Sequence, residues 1–256
     1  MVTDALLAWY VAQGRDLPWR RTRDPYAILV SEVMLQQTQV ARVVPRYLAW
    51  LDRWPEAASL AAAPPSDVLR EWVGLGYNRR ALRLRDACAV VARDGWPRTV
   101  EGLRALPGVG PYTAAAVASF AFDEQVAAVD VNVARVASRL GREVDALLPA
   151  GRAAAFNHAM MDLGATICTA RRPSCGACPV AARCVSAGAV AAPPRPGKAR
   201  QRFQDSDRFA RGRIVAALAA REPLPEGLGA ERTERAVAGL LRDGLVVRDG
   251  DEIRLP

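Results

Sequence analysis

The chain has 256 residues, of which 51% are hydrophobic, and its 35 Lys and Arg residues exceed its 27 Asp and Glu residues to give a net charge of +8 at pH 7. This length and composition fit one large or two small folded domains and exclude a wholly disordered protein. The basic balance favours a polyanionic partner such as nucleic acid, and the single histidine, His158, excludes a histidine-rich metal centre and disfavours a nucleophilic triad.

The first 185 residues predict a fold that is almost entirely α-helical. Apolar residues recur there at helical spacing, β-branched alternation is scarce before residue 240, and Pro and Gly cut the pattern into helices of ordinary length. The N-terminal residues carry no recognisable export signal, and no apolar run approaches the roughly 20 residues that cross a bilayer. We therefore expect a cytoplasmic protein with no membrane partner.

Residues 31–40 predict a helix capped by Ser31, and its polar face carries one carboxylate among amides. The side chains on that face are Glu32, Leu35, Gln36 and Gln39. Taken alone, this face is typical of the solvent-exposed side of a helix. Burial would raise the pKa of Glu32 and the helix start would lower it, so the pattern leaves its protonation open.

A glycine-rich turn, Leu106-Pro107-Gly108-Val109-Gly110-Pro111-Tyr112, precedes an apolar helix that runs through Phe120. Glycines let the backbone approach a partner closely, and the free N–H groups of a helix start favour a phosphate. A turn of this kind is by itself usually structural. Its interpretation as a DNA-backbone contact depends on the other motifs.

A second carboxylate, Asp130, interrupts an apolar run just before helical spacing resumes, which predicts an N-cap. An N-cap can also be catalytic. Cleavage of a glycosidic bond requires two carboxyl groups, one that protonates the leaving group and one that stabilises the positive sugar or steers water. Glu32 and Asp130 are candidates for that pair.

Four of the five cysteines lie within seventeen residues, at Cys168, Cys175, Cys178 and Cys184. In a reducing compartment such crowding favours a metal centre over disulfides. A structural zinc site usually draws on two Cys-x2-Cys pairs, whereas this loop has one. Four thiolates in one tight loop suit a larger iron–sulfur cube better, and zinc remains the alternative.

The C-terminal part begins with a segment of linker composition at 191–197, and residues 195–221 hold eight Lys or Arg against two Asp. These charges fit a solvated segment or contacts with phosphates. Helices are predicted around 208–221 and 230–242, followed by a hairpin at Asp249-Gly250. The expected product is a winged-helix-like module that either binds DNA or merely packs.

Four features occur together in this chain: Ser-Glu-Val-Met-Leu-Gln-Gln-Thr-Gln at 31–39, Leu-Pro-Gly-Val-Gly at 106–110, Asp130 and the four cysteines. In this combination the chain resembles the helix-hairpin-helix DNA glycosylases with an iron–sulfur cluster. Within that superfamily the chain is most similar to the MutY group, which removes adenine mispaired with 8-oxoguanine. The resemblance covers about residues 1–190. It implies a monomer with a 4Fe-4S cluster on the four cysteines, bound to double-stranded DNA that carries adenine opposite 8-oxoguanine or guanine.

The resemblance also implies a two-lobed helical body. The expected division is a cluster lobe at 1–20 and 121–190, a six-helix lobe at 21–120 with the helix-hairpin-helix, and the C-terminal module at 198–256. Relatives have a longer C-terminal domain, similar to nucleotide hydrolases, that reads 8-oxoguanine. How this chain would recognise the lesion is therefore open.

By the same resemblance, Glu32 would protonate a flipped-out adenine, Asp130 would stabilise the sugar cation, and Asn132 would support the site. Tyr112 stands where the endonuclease III group carries a lysine that forms a Schiff base and cuts the strand. Tyrosine cannot form that adduct. The resemblance therefore implies base removal that leaves an abasic site.

Further positions match the family's binding residues one by one. Those that match the adenine pocket are Arg15, Trp19, Leu35, Val40 and His158. Those that match contacts with DNA are Gln36, Tyr77, Gly108 and Gly110, of which Gln36 and Tyr77 would wedge into the base stack. Trp19 and Leu35 also fit plain core positions.

Three departures from the family pattern stand out. His158 replaces the usual Gln or Glu, and it would keep the adenine contact, alter the pH dependence or simply pack. Val131 replaces a small residue, and Asn78 replaces a second tyrosine.

The alternative functions that remain are an endonuclease III-like glycosylase of other damaged bases, a non-catalytic DNA-binding protein, and redox signalling through the cluster. Two acids near a phosphate groove argue against mere binding.

Overall fold

The computed structural model describes residues 1–189, 202–250 and 252–256. These residues are mostly helical and end in one two-stranded sheet, which confirms the predicted all-α fold with a C-terminal hairpin. The helices are α1 (Val2–Gln13), α2 (Pro25–Leu35), α3 (Val40–Arg53), α4 (Ala57–Ala62), α5 (Pro65–Trp72), α6 (Arg79–Asp94), α7 (Val100–Arg104), α8 (Pro111–Phe122), α9 (Val131–Leu140), α10 (Ala153–Asp162), α11 (Asp207–Ala220) and α12 (Ala230–Arg242); the strands are β1 (Val247–Asp249) and β2 (Glu252–Arg254). The predicted linker at 191–197 lies outside the described residues.

Tertiary contacts divide the chain into two compact units. The first comprises Met1–Glu32, Trp96–Ala105 and Val109–Pro196. Its core forms where α1, α9 and α10 pack together, around apolar side chains such as Leu6, Val136 and Phe156. Because three of the clustered cysteines pack against this core, the cysteine loop is anchored to the same helices.

Local capping positions the elements of the first unit that matter for the site. The Asp130 carboxylate accepts hydrogen bonds from backbone N–H groups at the start of α9, as an N-cap does, and Gly141 ends this helix at φ 66°. Pro111 occupies the first turn of α8. α10 continues into a π-helical turn, Leu163–Ile167, which leads directly to Cys168.

The second unit comprises Val33–Gly95, Leu106–Gly108 and Gly197–Pro256. Trp50 is at its centre, with edge-on contacts to Trp54 at 4.7 Å and Trp72 at 5.4 Å between ring centroids. In the C-terminal part, α11 packs on α12 and on α5. β1 and β2 pair antiparallel, with Val247 opposite Arg254. The predicted hairpin therefore forms, but Asp249 is the last residue of β1, opposite Glu252, and not part of the turn as predicted.

The helix that carries Glu32 begins earlier and ends earlier than predicted. The Asp24 carboxylate accepts from the N–H groups of Tyr26 and Ala27, at 3.1 and 3.2 Å, so the cap lies before Pro25. Ser31 was wrongly predicted as the cap: it lies inside α2, where its hydroxyl donates to the Ile28 carbonyl at 2.8 Å.

The C-terminal end of α2 corrects a second expectation. The helix stops at Leu35, and Gln37 adopts φ 57°, which a continuing helix does not allow. Gln36 and Gln39 therefore do not share a helical face with Glu32, contrary to the prediction.

The compact units differ from the predicted lobes in three respects. Residues 21–32, which were expected in the six-helix lobe, belong to the first unit. α7 and α8, which were expected in the six-helix lobe, belong to the first unit because the almost wholly buried α8 packs on α7 and α10. The C-terminal residues belong to the second unit. The division into three parts stays a prediction.

Over residues 1–189, 202–250 and 252–256, none of the helices has the length and apolar character that crossing a bilayer requires.

Candidate active site

Glu32 is a buried carboxyl group on an otherwise apolar stretch of α2. Its residue is 5% exposed. Burial, followed by the negative charge of Asp130, raises the pKa of Glu32, while a hydrogen bond from Tyr112 and the positive charge of Arg20 oppose the rise, and the resulting pKa is about 7. Near neutral pH a substantial fraction of Glu32 therefore carries the proton that a general acid must donate.

Tyr112 is the second residue of α8, and its hydroxyl donates a hydrogen bond to Glu32. The same oxygen lies 3.9 Å from the sulfur of Met161. Burial and the adjacent charge of Glu32 raise the pKa of Tyr112, so the phenol stays protonated. Tyr112 is thus a neutral donor to the acid, and it offers no amine for a Schiff base.

Asp130 has its carboxylate oriented by three N–H donors. One oxygen accepts from the backbone N–H groups of Asn132 at 2.9 Å and Val133 at 2.7 Å, and the other accepts from the Asn132 side chain at 2.9 Å. The residue is half-buried. Because the charge of Asp130 raises the pKa of both Glu32 and Tyr112, the two carboxyl groups lie within electrostatic range of each other.

Asn132 is held in turn by Arg135. The Arg135 guanidinium donates to the Asn132 side-chain oxygen at 2.9 Å and to the Gly164 carbonyl at 2.7 Å. A Cβ atom at Gly164 would lie 2.7 Å from the Cβ of Asn132, so this approach requires glycine. These contacts fix the turn that presents Asp130.

A buried ion-pair network beside the site was missed by the sequence reasoning. Arg20 donates to both oxygens of Asp162 at 2.8 Å, and Arg15 donates to the same carboxylate at 2.7 Å through its Nε. The Asp162 side chain is 1% exposed. Burial alone would raise the pKa of Asp162, but the hydrogen bonds from Arg20 and Arg15 hold it below its ordinary value. An acid within the apolar run 159–164 was the available sequence clue.

His158 lies on α10 with its ring stacked on Phe120, at 4.1 Å between centroids. Burial, followed by the positive charge of Arg20, lowers the pKa of His158 to about 3. The imidazole is therefore neutral wherever Glu32 titrates. An effect of His158 on the pH dependence near neutrality, one of the expectations, is not supported by the structure.

The remaining predicted pocket residues are distributed over both units. In the first unit, Arg15 is engaged with Asp162 and Trp19 is buried, at 6% exposure. In the second unit, Leu35 ends α2 and Val40 begins α3, and both are half-buried.

In the second unit, Arg80 joins the turn that contains Gln36 to the turn that contains Tyr77. Its guanidinium donates to four carbonyl groups, those of Val33 at 2.5 Å, Gln36 at 2.8 Å, Leu75 at 3.1 Å and Gly76 at 3.0 Å. Tyr77 has φ 48° and is 40% exposed. An aromatic ring is thus presented on a tightly held turn.

The two glycines of the predicted hairpin motif differ in their surroundings. Gly108 has φ 77°, and a Cβ atom there would lie 2.7 Å from the Cβ of Arg83, so no other residue fits without rearrangement. Gly110 is the N-cap of α8, and a Cβ atom there would meet nothing within 4 Å. The backbone at Gly110 is consequently open to a partner.

The four clustered cysteines, Cys168, Cys175, Cys178 and Cys184, line one pocket together with Ile167 and Arg139. Burial raises the pKa of Cys178, and the charges of the other three cysteines raise it further, which places all four within electrostatic range. Arg139 donates to the Cys168 sulfur at 3.3 Å. In the described part of the chain, no group of three or more His, Cys, Asp or Glu residues is arranged to hold a single metal ion. An all-sulfur donor set spread around one pocket fits an iron–sulfur cube better than zinc.

Comparisons with known proteins agree with this arrangement. Residues 30–146 match the model of the HhH-GPD superfamily of base excision DNA repair proteins, and residues 168–184 match the iron–sulfur binding domain of endonuclease III. The chain is 44% identical to the adenine DNA glycosylase of Mycolicibacterium smegmatis over 275 residues, which cover 96% of this chain and 92% of that protein. It is 41% identical to the adenine DNA glycosylase of Homo sapiens over 82% of this chain and 41% of the human protein.

Solved structures show the same architecture. A thermostable thymine-DNA glycosylase superposes with a TM-score of 0.67 at 32% identity, covering 72% of this chain and 93% of that chain. Endonuclease III in a non-covalent complex with DNA superposes with a TM-score of 0.62 at 25% identity, covering 72% and 92%. Both comparisons place the fold among DNA-binding glycosylases.

Proposed function

Because the chain belongs to the adenine DNA glycosylase family, within the helix-hairpin-helix superfamily of base excision DNA repair proteins, we propose that it hydrolyses the N-glycosidic bond of adenine in double-stranded DNA. We propose further that this adenine lies opposite 8-oxoguanine or guanine. The observation that carries the proposal is the buried Glu32, whose pKa lies near 7 beside Tyr112 and the charge of Asp130.

The two carboxyl groups divide the reaction between them. The adenosine must leave the duplex for its glycosidic bond to be reached. Protonated Glu32 gives its proton to a ring nitrogen of adenine, the C1′–N9 bond breaks, and the bonding electrons leave with the base. The carboxylate of Asp130 stabilises the cationic sugar until water adds to C1′ and loses a proton to the carboxylate of Glu32, and the products are adenine and an abasic site.

Supporting residues hold these groups in place. Tyr112 donates to Glu32, and Asn132 donates to Asp130. With tyrosine in place of an amine, the sugar is not captured as a Schiff base, so the enzyme removes the base without cutting the strand.

The other assignments extend this proposal. Adenine would be contacted by Arg15, Trp19, Leu35, Val40 and His158; DNA would be contacted by the wedge residues Gln36 and Tyr77 and by the backbone at Gly108 and Gly110. These assignments rest on the family match and on the exposed Tyr77 and the open backbone at Gly110. Trp19 is buried, which a core position explains equally well.

The iron–sulfur binding domain of the superfamily is present at residues 168–184, and its four cysteines hold a 4Fe-4S cluster. When bound, the cluster ties this loop together and contributes structure, not a chemical step. We propose that the enzyme acts as a monomer. Its free cysteines favour a reducing compartment, so we also place it in the cytoplasm.

Single-turnover base release from defined duplexes tests the proposal. The panel pairs adenine with 8-oxoguanine, guanine or cytosine, and adds thymine opposite guanine and an oxidised pyrimidine opposite guanine. We expect free adenine from the first two duplexes and strand breaks only after alkali. Release of thymine or of the oxidised pyrimidine without release of adenine would contradict the proposal and favour an endonuclease III-like specificity.

A further inference from the structure

The C-terminal helices pack within the unit that carries Tyr77. α11 contacts α5. Asp243, which follows α12, forms ion pairs with Arg79 at the start of α6, at 3.2 Å, and with Arg211 of α11. The residue after Tyr77 leads directly into α6. The C-terminal module is thus fastened beside the proposed wedge residue.

At this junction the guanidinium of Arg208 lies over two exposed aromatic rings. Its central carbon is 4.1 Å from the ring centroid of Tyr77 and 5.2 Å from that of Phe203. Arg208 also donates to the Tyr77 hydroxyl at 2.5 Å, and that hydroxyl donates to the Gln37 side chain at 2.5 Å. Tyr77 is 40% exposed and Phe203 is 57% exposed. Aromatic rings and arginine side by side are the groups on which nucleic-acid bases stack.

The backbone around Phe203 and Arg208 is held by the module itself. Arg232 of α12 donates to the carbonyl groups of Gln204 and Ser206, both at 2.6 Å. The ring of Phe209 meets Phe203 edge-on at 5.6 Å. These contacts, all between protein groups, hold the backbone that presents Phe203 and Arg208.

We propose that Phe203, Arg208 and Tyr77 form a binding site for the purine that faces the excised adenine, and that Arg208 determines specificity for this base. The inference rests on the proposed function, since it requires Tyr77 to enter the base stack. Extrusion of the adenine leaves its partner unpaired and partly unstacked. The guanidinium of Arg208 and the exposed parts of the two rings that it covers offer that partner a stacking surface.

The chemistry of arginine selects a guanine-type base. The guanidinium has five N–H groups, of which one is given to the Tyr77 hydroxyl. Arginine is the side chain that most often reads the O6 and N7 acceptors of guanine. 8-Oxoguanine keeps the O6 acceptor and adds a carbonyl oxygen at C8, which replaces N7 as the second acceptor because N7 of this base carries a hydrogen. On the corresponding edge, cytosine offers an amino group that would face the guanidinium as a second donor.

A contact with a backbone phosphate is the competing explanation for an exposed arginine. Such a contact would depend on charge alone and would act on every duplex equally. It would not explain why Arg208 lies over two rings that remain exposed. Dependence on the base opposite adenine separates the two explanations.

The test compares Arg208→Gln with Arg213→Gln in the full-length protein. Arg213 is an exposed arginine of the same helix, and among the described residues the structure gives it no ring contact or ion pair. Equilibrium dissociation constants are measured on duplexes in which a non-hydrolysable adenosine analogue faces 8-oxoguanine, guanine or cytosine. We expect Arg208→Gln to weaken binding about tenfold when a purine faces the analogue and less than about twofold when cytosine does. Arg213→Gln should affect the three duplexes equally.

A second variant and a separate measurement make each outcome decisive. Arg208→Lys keeps the charge but loses the planar fork, and we expect it to lose the same discrimination. Equal weakening on all three duplexes, or no difference between Arg208→Gln and Arg213→Gln, would overturn the inference. Melting temperature and the visible absorbance of the cluster establish that each variant is folded. A wild-type enzyme that releases no adenine from any duplex would instead refute the proposed function, whatever the binding data show.

Discussion

The hydrogen bond from Tyr112 lowers the pH at which Glu32, the proposed acid, loses its proton, and Tyr112→Phe removes that bond. Burial raises the pKa of Glu32 from 4.5 to about 7, and the bond from Tyr112 opposes this rise because it favours the charged carboxylate. Without the hydroxyl, the charged form loses a donor in a buried site. The pKa of Glu32 should therefore move upward, away from its ordinary value.

The size of the change follows from the strength of such bonds. A hydrogen bond to a charged group contributes about 1.5 to 3 kcal/mol, which corresponds to a pKa change of about one to two. With a pKa near 7, the wild-type rate at pH 9 should be about a hundredth of its acid plateau; with a pKa near 8, the rate of Tyr112→Phe should be about a tenth. The variant should thus retain more of its own activity at alkaline pH.

The assay is the single-turnover rate of adenine release between pH 5.5 and 9.5, on an adenine:8-oxoguanine duplex with enzyme in excess. Each variant is normalised to its own plateau, so that a lower absolute rate does not obscure the position of the alkaline limb. His158 should not contribute a limb in this range, because burial lowers its pKa to about 3. A profile that stays level up to pH 9, or a limb that moves to lower pH in Tyr112→Phe, would refute the reasoning.

Three further predictions concern the same unit. Tyr112→Lys should gain some strand cleavage through a Schiff base, measured as a covalent DNA adduct after borohydride reduction, and a complete lack of adduct would contradict the placement of this residue. Asp162→Asn leaves Arg20 and Arg15 without their buried counter-ion, so it should destabilise the fold by about 3 kcal/mol. This corresponds to a melting temperature lower by roughly 6 to 12 °C, and a decrease of less than about 2 °C would contradict a stabilising role for these ion pairs. Folding raises the pKa of Glu32, so the contribution of its carboxyl group to the free energy of unfolding is fully present below about pH 4.5. As the pH rises to about 7, up to about 3 kcal/mol of this free energy of unfolding is lost. Glu32→Gln should therefore melt above wild type at pH 8 and approach it toward pH 4.5, and a difference that does not change with pH would contradict the buried charge.

Elements specified by local signals were well predicted from the sequence. The expected helix at 230–242 matches α12, which follows Gly229, and the hairpin forms within one residue of the predicted Asp249-Gly250 turn. Asp130 was predicted as an N-cap, and its carboxylate accepts the N–H groups at the start of α9. Each of these features depends on neighbours within a few residues.

The start of α2 was mispredicted because two local signals competed. Ser31 is a good capping residue by type, but it lies within a run of buried residues, and Asp24 followed by Pro25 is the stronger start signal. The end of the helix depends on the left-handed backbone at Gln37, which residue type alone does not indicate.

The candidate site was predictable in its parts but not in its assembly. Family resemblance pointed to Glu32, Tyr112 and Asp130, whereas periodicity alone favoured a solvated stripe for Glu32. Burial of that carboxyl group, and its hydrogen bond from Tyr112, are tertiary facts. The ion pairs of Arg20 with Asp162 join residues far apart in the chain, and no local pattern specifies them.

The central claim is that Glu32 delivers the proton that releases adenine. It is tested most directly by single-turnover adenine release from an adenine:8-oxoguanine duplex by Glu32→Gln, with duplex binding measured in parallel. Gln is similar in size to Glu and can donate a hydrogen bond, but it has no acidic proton to give. We predict that the variant binds the duplex as the wild type does and releases no measurable adenine; release at an appreciable fraction of the wild-type rate would contradict the account.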